Sequence, residues 1–263
     1  MNNTAVTVIG ISIIFIMTSL GSAIVFFFKG EISPKLNTLF LGFASGVMIA
    51  ASVWSLIIPA IEQSEEGWGT WSFLPAAVGF IIGGLFLVFL DKIIPHIHSG
   101  RNEEEGLRSN LQKPAKLFFA VTLHNIPEGL AVGFAFGAAL AVNESSAFLS
   151  ALALAVGIGI QNFPEGAAIA LPMKQATGSS GKAFLYGMGS GIVEPVFAVI
   201  GMFLAAFLTN IQPWLLSFAA GAMIFVVAED LIPDAKLSEN SHLGTWGVMA
   251  GFVVMMILDV ALG

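Results

Sequence analysis

The sequence has no cysteine, a single tyrosine and only ten basic residues among 263. Without a thiol there can be no disulfide and no thiolate ligand, so a bound metal would rely on His, Met, amide, carboxylate or carbonyl groups. Charged residues make up 10% of the chain and apolar ones 56%, which excludes a soluble domain. The net charge of −7 argues against nucleic acid as a partner, and there is no basic amphipathic segment to lie on a membrane surface. The first apolar run lacks a basic flank and a small-residue cleavage site, so it reads as a permanent span rather than a signal peptide.

What fills the chain is apolar runs of crossing length, about 20 residues each. They fall at about 5–28, 37–59, 72–90, 115–140, 148–172, 182–209, 214–232 and 244–262, predicting an all-α integral membrane protein of eight transmembrane helices. Lys29, Lys35, Lys92, Arg101, Arg108, Lys113, Lys116, Lys174, Lys182 and Lys236 all lie in odd-numbered connections or at their edges. Basic residues collect in cytoplasmic loops, so both termini are expected outside the cytoplasm. Trp68, Trp71 and Trp214 sit where an outer aromatic belt would run. Residues 1–263 read as one transmembrane domain, with a flexible cytoplasmic loop at about 92–116.

An internal repeat is also visible. Phe43-Ala44-Ser45-Gly46-Val47-Met48-Ile49 in the second span matches Phe218-Ala219-Ala220-Gly221-Ala222-Met223-Ile224 in the seventh, and Leu56-Ile57 matches Leu231-Ile232 in the same register. These spans run in opposite directions, which suggests a 3+2+3 arrangement: an inverted repeat of helices 1–3 and 6–8 around helices 4 and 5.

The chemistry concentrates in two six-residue words, His124-Asn125-Ile126-Pro127-Glu128-Gly129 and Gln161-Asn162-Phe163-Pro164-Glu165-Gly166. A charged side chain at the bilayer centre costs on the order of 3 kcal/mol, so an intramembrane Glu is a site hypothesis by default. His124 and Glu128 are one helical turn apart, roughly 5.4 Å, on a single face, as are Gln161 and Glu165. Asn125 and Asn162 fall on the adjoining strip. Pro127 and Pro164 free the carbonyls of Leu123 and Ile160, which could face a cation. A kink made only for packing would explain one motif; two parallel copies, each with Glu and a second polar ligand, favour a cation site. Glu194 in the sixth span also precedes a proline and is expected to face the same cavity. Three carboxylates confined together cannot all ionise without a compensating proton or cation.

Imidazole combined with carboxylates and amides suits Zn²⁺, with Cd²⁺, Fe²⁺ or Mn²⁺ open; Met48 would add a soft thioether or simply pack. Two other functions stay open on the residues alone. An intramembrane metallohydrolase is disfavoured by the lack of a His-Glu-x-x-His motif, and a proton-coupled carrier of a small organic solute would use the carboxylates only as a relay.

The sequence resembles the ZIP (Zrt/Irt-like) divalent metal transporters, in the bacterial-type branch that carries Gln-Asn-x-Pro-Glu-Gly in its fifth helix. Supporting motifs are Gly46-Val47-Met48, Val193-Glu194-Pro195 and Glu229-Asp230-Leu231-Ile232-Pro233. The likeness implies inward transport through a binuclear centre between helices 4 and 5, in a multi-pass protein of the cell membrane, here a bacterial inner membrane. One metal would lie on His124, Glu128, Gln161 and Glu165 with Met48 close by. A second would bind Asn125, Glu128, Asn162, Glu165 and Glu194, with Asn162 standing where some relatives have Asp. The resemblance further suggests Ser55 and Glu62 at the outer entrance, and Asp91, His96, His98, Glu229, Asp230 and Asp259 along the inner release path. His96 and His98 could equally be a solvated loop pair, and Asp230 and Asp259 could cap helices or pair with Lys236. His242 shows no partner, and a homodimer is compatible with the chain.

Overall fold

The computed structural model describes residues 2–27, 33–97, 104–111, 113–235 and 242–262. Among them are eight helices long and apolar enough to cross a membrane: α1 (Asn3–Phe26), α2 (Pro34–Trp71), α3 (Phe73–Ile93), α4 (Phe118–Val142), α5 (Ser145–Thr177), α6 (Ser180–Phe207), α7 (Thr209–Asp234) and α8 (Leu243–Leu262). The all-α membrane architecture expected from the apolar runs is the one the chain adopts. Local signals set several ends. Asn2, Ser33 and Ser179 accept backbone N–H bonds at the starts of α1, α2 and α6, and Pro34 opens α2. Gly178, at φ +65°, stops α5.

Two stretches differ from the expectation. Helix continues past the apolar run of the second span to Trp68, so Glu62, Glu65 and Glu66 lie on a helix rather than in a loop. That segment is amphipathic: Ala60 and Ser64 are buried while the three glutamates are exposed. The 92–116 loop contains a short antiparallel pair, β1 (His96–Ile97) and β2 (Glu104–Glu105), with β1 packed against the helix that carries α4.

The closest packing runs α2 along α8, α3 along α7, α1 along α5 and α4 along α6. Exchanging 1 with 6, 2 with 7, 3 with 8 and 4 with 5 returns the same four pairs, as an inverted repeat requires. The register agrees residue by residue. A Cβ added to Gly46 would strike the Val248 carbonyl, and one added to its counterpart Gly221 would strike the Phe80 carbonyl. Gly251 faces the Phe43 carbonyl as Gly83 faces that of Phe218. Glycine is needed at these places because the backbones touch there. The repeat extends to a local distortion, since α2 and α7 both widen into a π-turn, at Ser52–Ile57 and Val227–Leu231.

In space the helices form two bundles, α1, α4, α5 and α6 in one and α2, α3, α7 and α8 in the other. They meet where α4 touches α7 and where α5 touches α2 and α8.

Candidate metal centre

Both proline motifs lie inside continuous helices, with Pro127 in the helix of α4 and Pro164 in α5. α6 is interrupted at Ile192, and Glu194 occupies the first turn of its second half, where the helix dipole favours a negative charge. Asn125, Glu128, Gln161, Asn162 and Glu194 are buried, whereas His124 and Glu165 are partly exposed.

A chain of short hydrogen bonds links these side chains. Gln161 Nε2 donates to Glu128 Oε1 and to Asn162 Oδ1, each at 2.7 Å. Asn162 Nδ2 donates to Glu194 Oε2 at 2.7 Å and reaches the Ile14 carbonyl at 3.4 Å. Thr18 Oγ1 donates to the other Glu194 oxygen at 2.8 Å. Asn125 Nδ2 donates to the Ser190 carbonyl at 2.9 Å, tying α4 to α6. Glu165 lies within electrostatic range of both Glu128 and Glu194. Among the described residues no three His, Asp or Glu side chains converge into a ready cage. The amides of Gln161 and Asn162 join Glu128 and Glu194 in one hydrogen-bonded network.

Among the described residues, three buried oxygens in this network have no hydrogen-bond partner: Asn125 Oδ1, Glu128 Oε2 and Gln161 Oε1. Unsatisfied buried acceptors are rare and call for an explanation. All three belong to the two motifs, and oxygens of this kind can ligate a cation.

Several peripheral residues lie elsewhere than the resemblance implied. The resemblance puts Asp259 on the inner path and Ser55 at the outer entrance, yet the two are neighbours: Asp259 lies in the last turn of α8, where Ser55 Oγ donates to its Oδ1 at 2.6 Å. There, with Trp54, Gln63, Val142 and Ser150, they line a cavity of about 350 Å³. Glu62 is exposed on the same helical extension, and Trp68 packs edge-on against Trp214 at 6.0 Å. Asp230 is neither a helix cap nor peripheral: its Oδ2 is 3.1 Å from His124 Nε2. Lys236 and His98 lie outside the described residues. His96 is buried rather than solvated, with Nδ1 donating to the Ile94 carbonyl at 2.7 Å and Nε2 3.8 Å from Asp91 Oδ1. Glu229 is exposed in the π-turn of α7. Met48 is fully buried in the main apolar core, and His242 is exposed with φ 51° just before α8.

The register that pairs Phe43 with Phe218 pairs Ser55 with Asp230, and the one that pairs Gly83 with Gly251 pairs Asp91 with Asp259. Ser55 and Asp259, which touch, are thus the repeat equivalents of Asp230 and Asp91.

The sequence profile of the ZIP zinc transporters matches residues 4–116 and 115–259. The chain belongs to the ZIP family. It is 37% identical to the zinc transporter ZIP11 of Homo sapiens, covering 94% of each chain. It is 35% identical to the zinc transporter GufA of Myxococcus xanthus over 89% of this chain and 90% of that one. With the zinc transporter ZIPB of Bordetella bronchiseptica it shares 33% identity over 95% of this chain and 79% of that protein. Within this ZIP chain, Thr18 is the contact that motif reading missed, because it lies outside both motifs in an otherwise apolar helix.

Proposed function

We propose that this ZIP protein carries zinc across the membrane through the polar seam between α4 and α5. Family membership and the zinc-transporter names of its relatives make a divalent metal the cargo, with zinc first and Cd²⁺, Fe²⁺ and Mn²⁺ as candidates of similar ligand preference. The observation that carries the reading is the set of unpartnered buried oxygens on Asn125, Glu128 and Gln161, which point to a cation as their missing partner.

In this account the ion enters through the cavity beside Ser55 and Asp259 and exchanges water for protein oxygens stepwise. It then rests between the motifs, with one ion on His124, Glu128, Gln161 and Glu165 near Met48. A second ion shares Glu128 and Glu165 and adds Asn125, Asn162 and Glu194. Release runs past Asp230 towards Asp91, His96 and Glu229 on the basic face, which we assign to the cytoplasm of a bacterial inner membrane. Glu128, Glu165 and Glu194 belong to one bundle, while Ser55, Asp91, Asp230 and Asp259 belong to the other. Movement of one bundle against the other therefore changes which end the ions face. Protons compete for Glu128, Glu165 and His124, because metal ligands must be deprotonated to bind.

Zinc uptake into proteoliposomes tests the reading. The wild-type protein is expected to accumulate zinc and Glu128→Ala to fall to the protein-free background; undiminished uptake by Glu128→Ala would refute the site.

A further inference from the structure

The packing of the inverted repeat identifies a further participant. Gly129 and Gly166 hold the same place in the two motifs, and each lies against a carbonyl of a neighbouring helix: Gly129 against that of Glu194 on α6, Gly166 against that of Thr18 on α1. Thr18 is thus the repeat counterpart of Glu194. One arm of the repeat contributes a carboxylate and the other a hydroxyl, and the two side chains meet at 2.8 Å.

We propose that Thr18 is a positioning residue for the second metal, holding Glu194 in the orientation that presents its carboxylate to the ion. Asn162 Nδ2 binds one carboxylate oxygen and Thr18 Oγ1 the other, so both oxygens of Glu194 have fixed donors on different helices. Two glycines hold Thr18 in place. Gly166 packs on its backbone, and a Cβ on Gly191 would lie 2.7 Å from Thr18 Cγ2 and 3.3 Å from Glu194 Oε1. The hydroxyl also sits 3.1 Å from the Ile14 carbonyl, the usual resting place of a helical threonine. It has a single proton to give, and an ionised carboxylate is the stronger acceptor. Donors that orient a ligating carboxylate typically matter by 10- to 100-fold in metal affinity.

This role rests on the proposed zinc site, and the test separates the two. Zinc binding to purified full-length protein is measured by competition with a chelating dye for wild type, Thr18→Val, Thr18→Ser, Glu194→Ala and the Thr18→Val/Glu194→Ala double variant. Thr18→Val, close in shape, is expected to weaken the second zinc by about tenfold and to leave the first unchanged. Thr18→Ser should restore wild-type affinity, and Thr18→Val should add nothing once Glu194 is alanine. A merely structural threonine would lower thermal stability and affect both ions alike. If Thr18→Val binds the second zinc like wild type while Glu194→Ala loses it, the positioning role is overturned and the zinc site stands. A wild-type protein that binds no zinc would overturn both. Should Thr18→Val fail to fold, Thr18→Ser and Thr18→Ala decide the matter, since only the serine keeps the donor.

Discussion

His124 Nε2 stands 3.1 Å from Asp230 Oδ2, joining α4 of one bundle to α7 of the other. A metal held by this imidazole nitrogen must displace Asp230 or recruit it. At the proposed site the contact would link ion binding to the interface between the bundles.

If Asp230 competes with the metal, Asp230→Asn leaves His124 a weaker partner. Apparent zinc affinity in the chelator competition assay should then tighten by about fivefold, the equivalent of one modest hydrogen bond. Uptake should slow, because the exit side has lost an acid. A loss of affinity would instead make Asp230 a ligand.

The cavity beside Ser55 and Asp259 gives a prediction about rate rather than affinity. A carboxylate in a narrow entrance raises the local cation concentration, and salt screens the effect. Asp259→Asn should lower initial uptake several-fold at low ionic strength, with the deficit shrinking as salt is added. A deficit independent of salt would mean that Asp259 acts by contact, not by its field.

The repeat predicts paired effects on stability. Gly46→Ala and Gly221→Ala each push a Cβ into a neighbouring backbone carbonyl, a type of overpacking that costs about 1–3 kcal/mol. Their thermal unfolding temperatures in detergent should fall by similar amounts. Gly67→Ala, where an added Cβ meets nothing within 4 Å on a helical backbone, should leave the transition unlowered or raise it slightly. Unequal losses at Gly46 and Gly221 would show that the two halves do not share one packing mode.

How legible each element was in the sequence follows from its physics. The spans could be read because apolar runs of crossing length have no soluble use, and the motif residues because Glu and Pro are costly in such runs. The extension of α2 to Trp68 was hidden because Glu62, Glu65 and Glu66 suggest a loop, and only the buried phase of Ala60 and Ser64 reveals a helix. The sequence leaves His96 open between a solvated loop and a metal relay, because its burial depends on β1 folding back against the helix of α4. That Asp259 neighbours Ser55 depends on how α8 packs along α2, which no motif encodes. Thr18 gave no sign of itself, since a threonine that can bond its own helix is cheap in any span. It emerges only once the glycine contacts show which residue answers Glu194 across the repeat.

The most direct measurement is anomalous scattering at the zinc edge from crystals of the protein soaked in zinc. The account predicts peaks between α4 and α5 in contact with both Glu128 and Glu165, one of them also touching Glu194. Zinc peaks confined to the surface, with Glu128 and Glu165 contacting none of them, would contradict it.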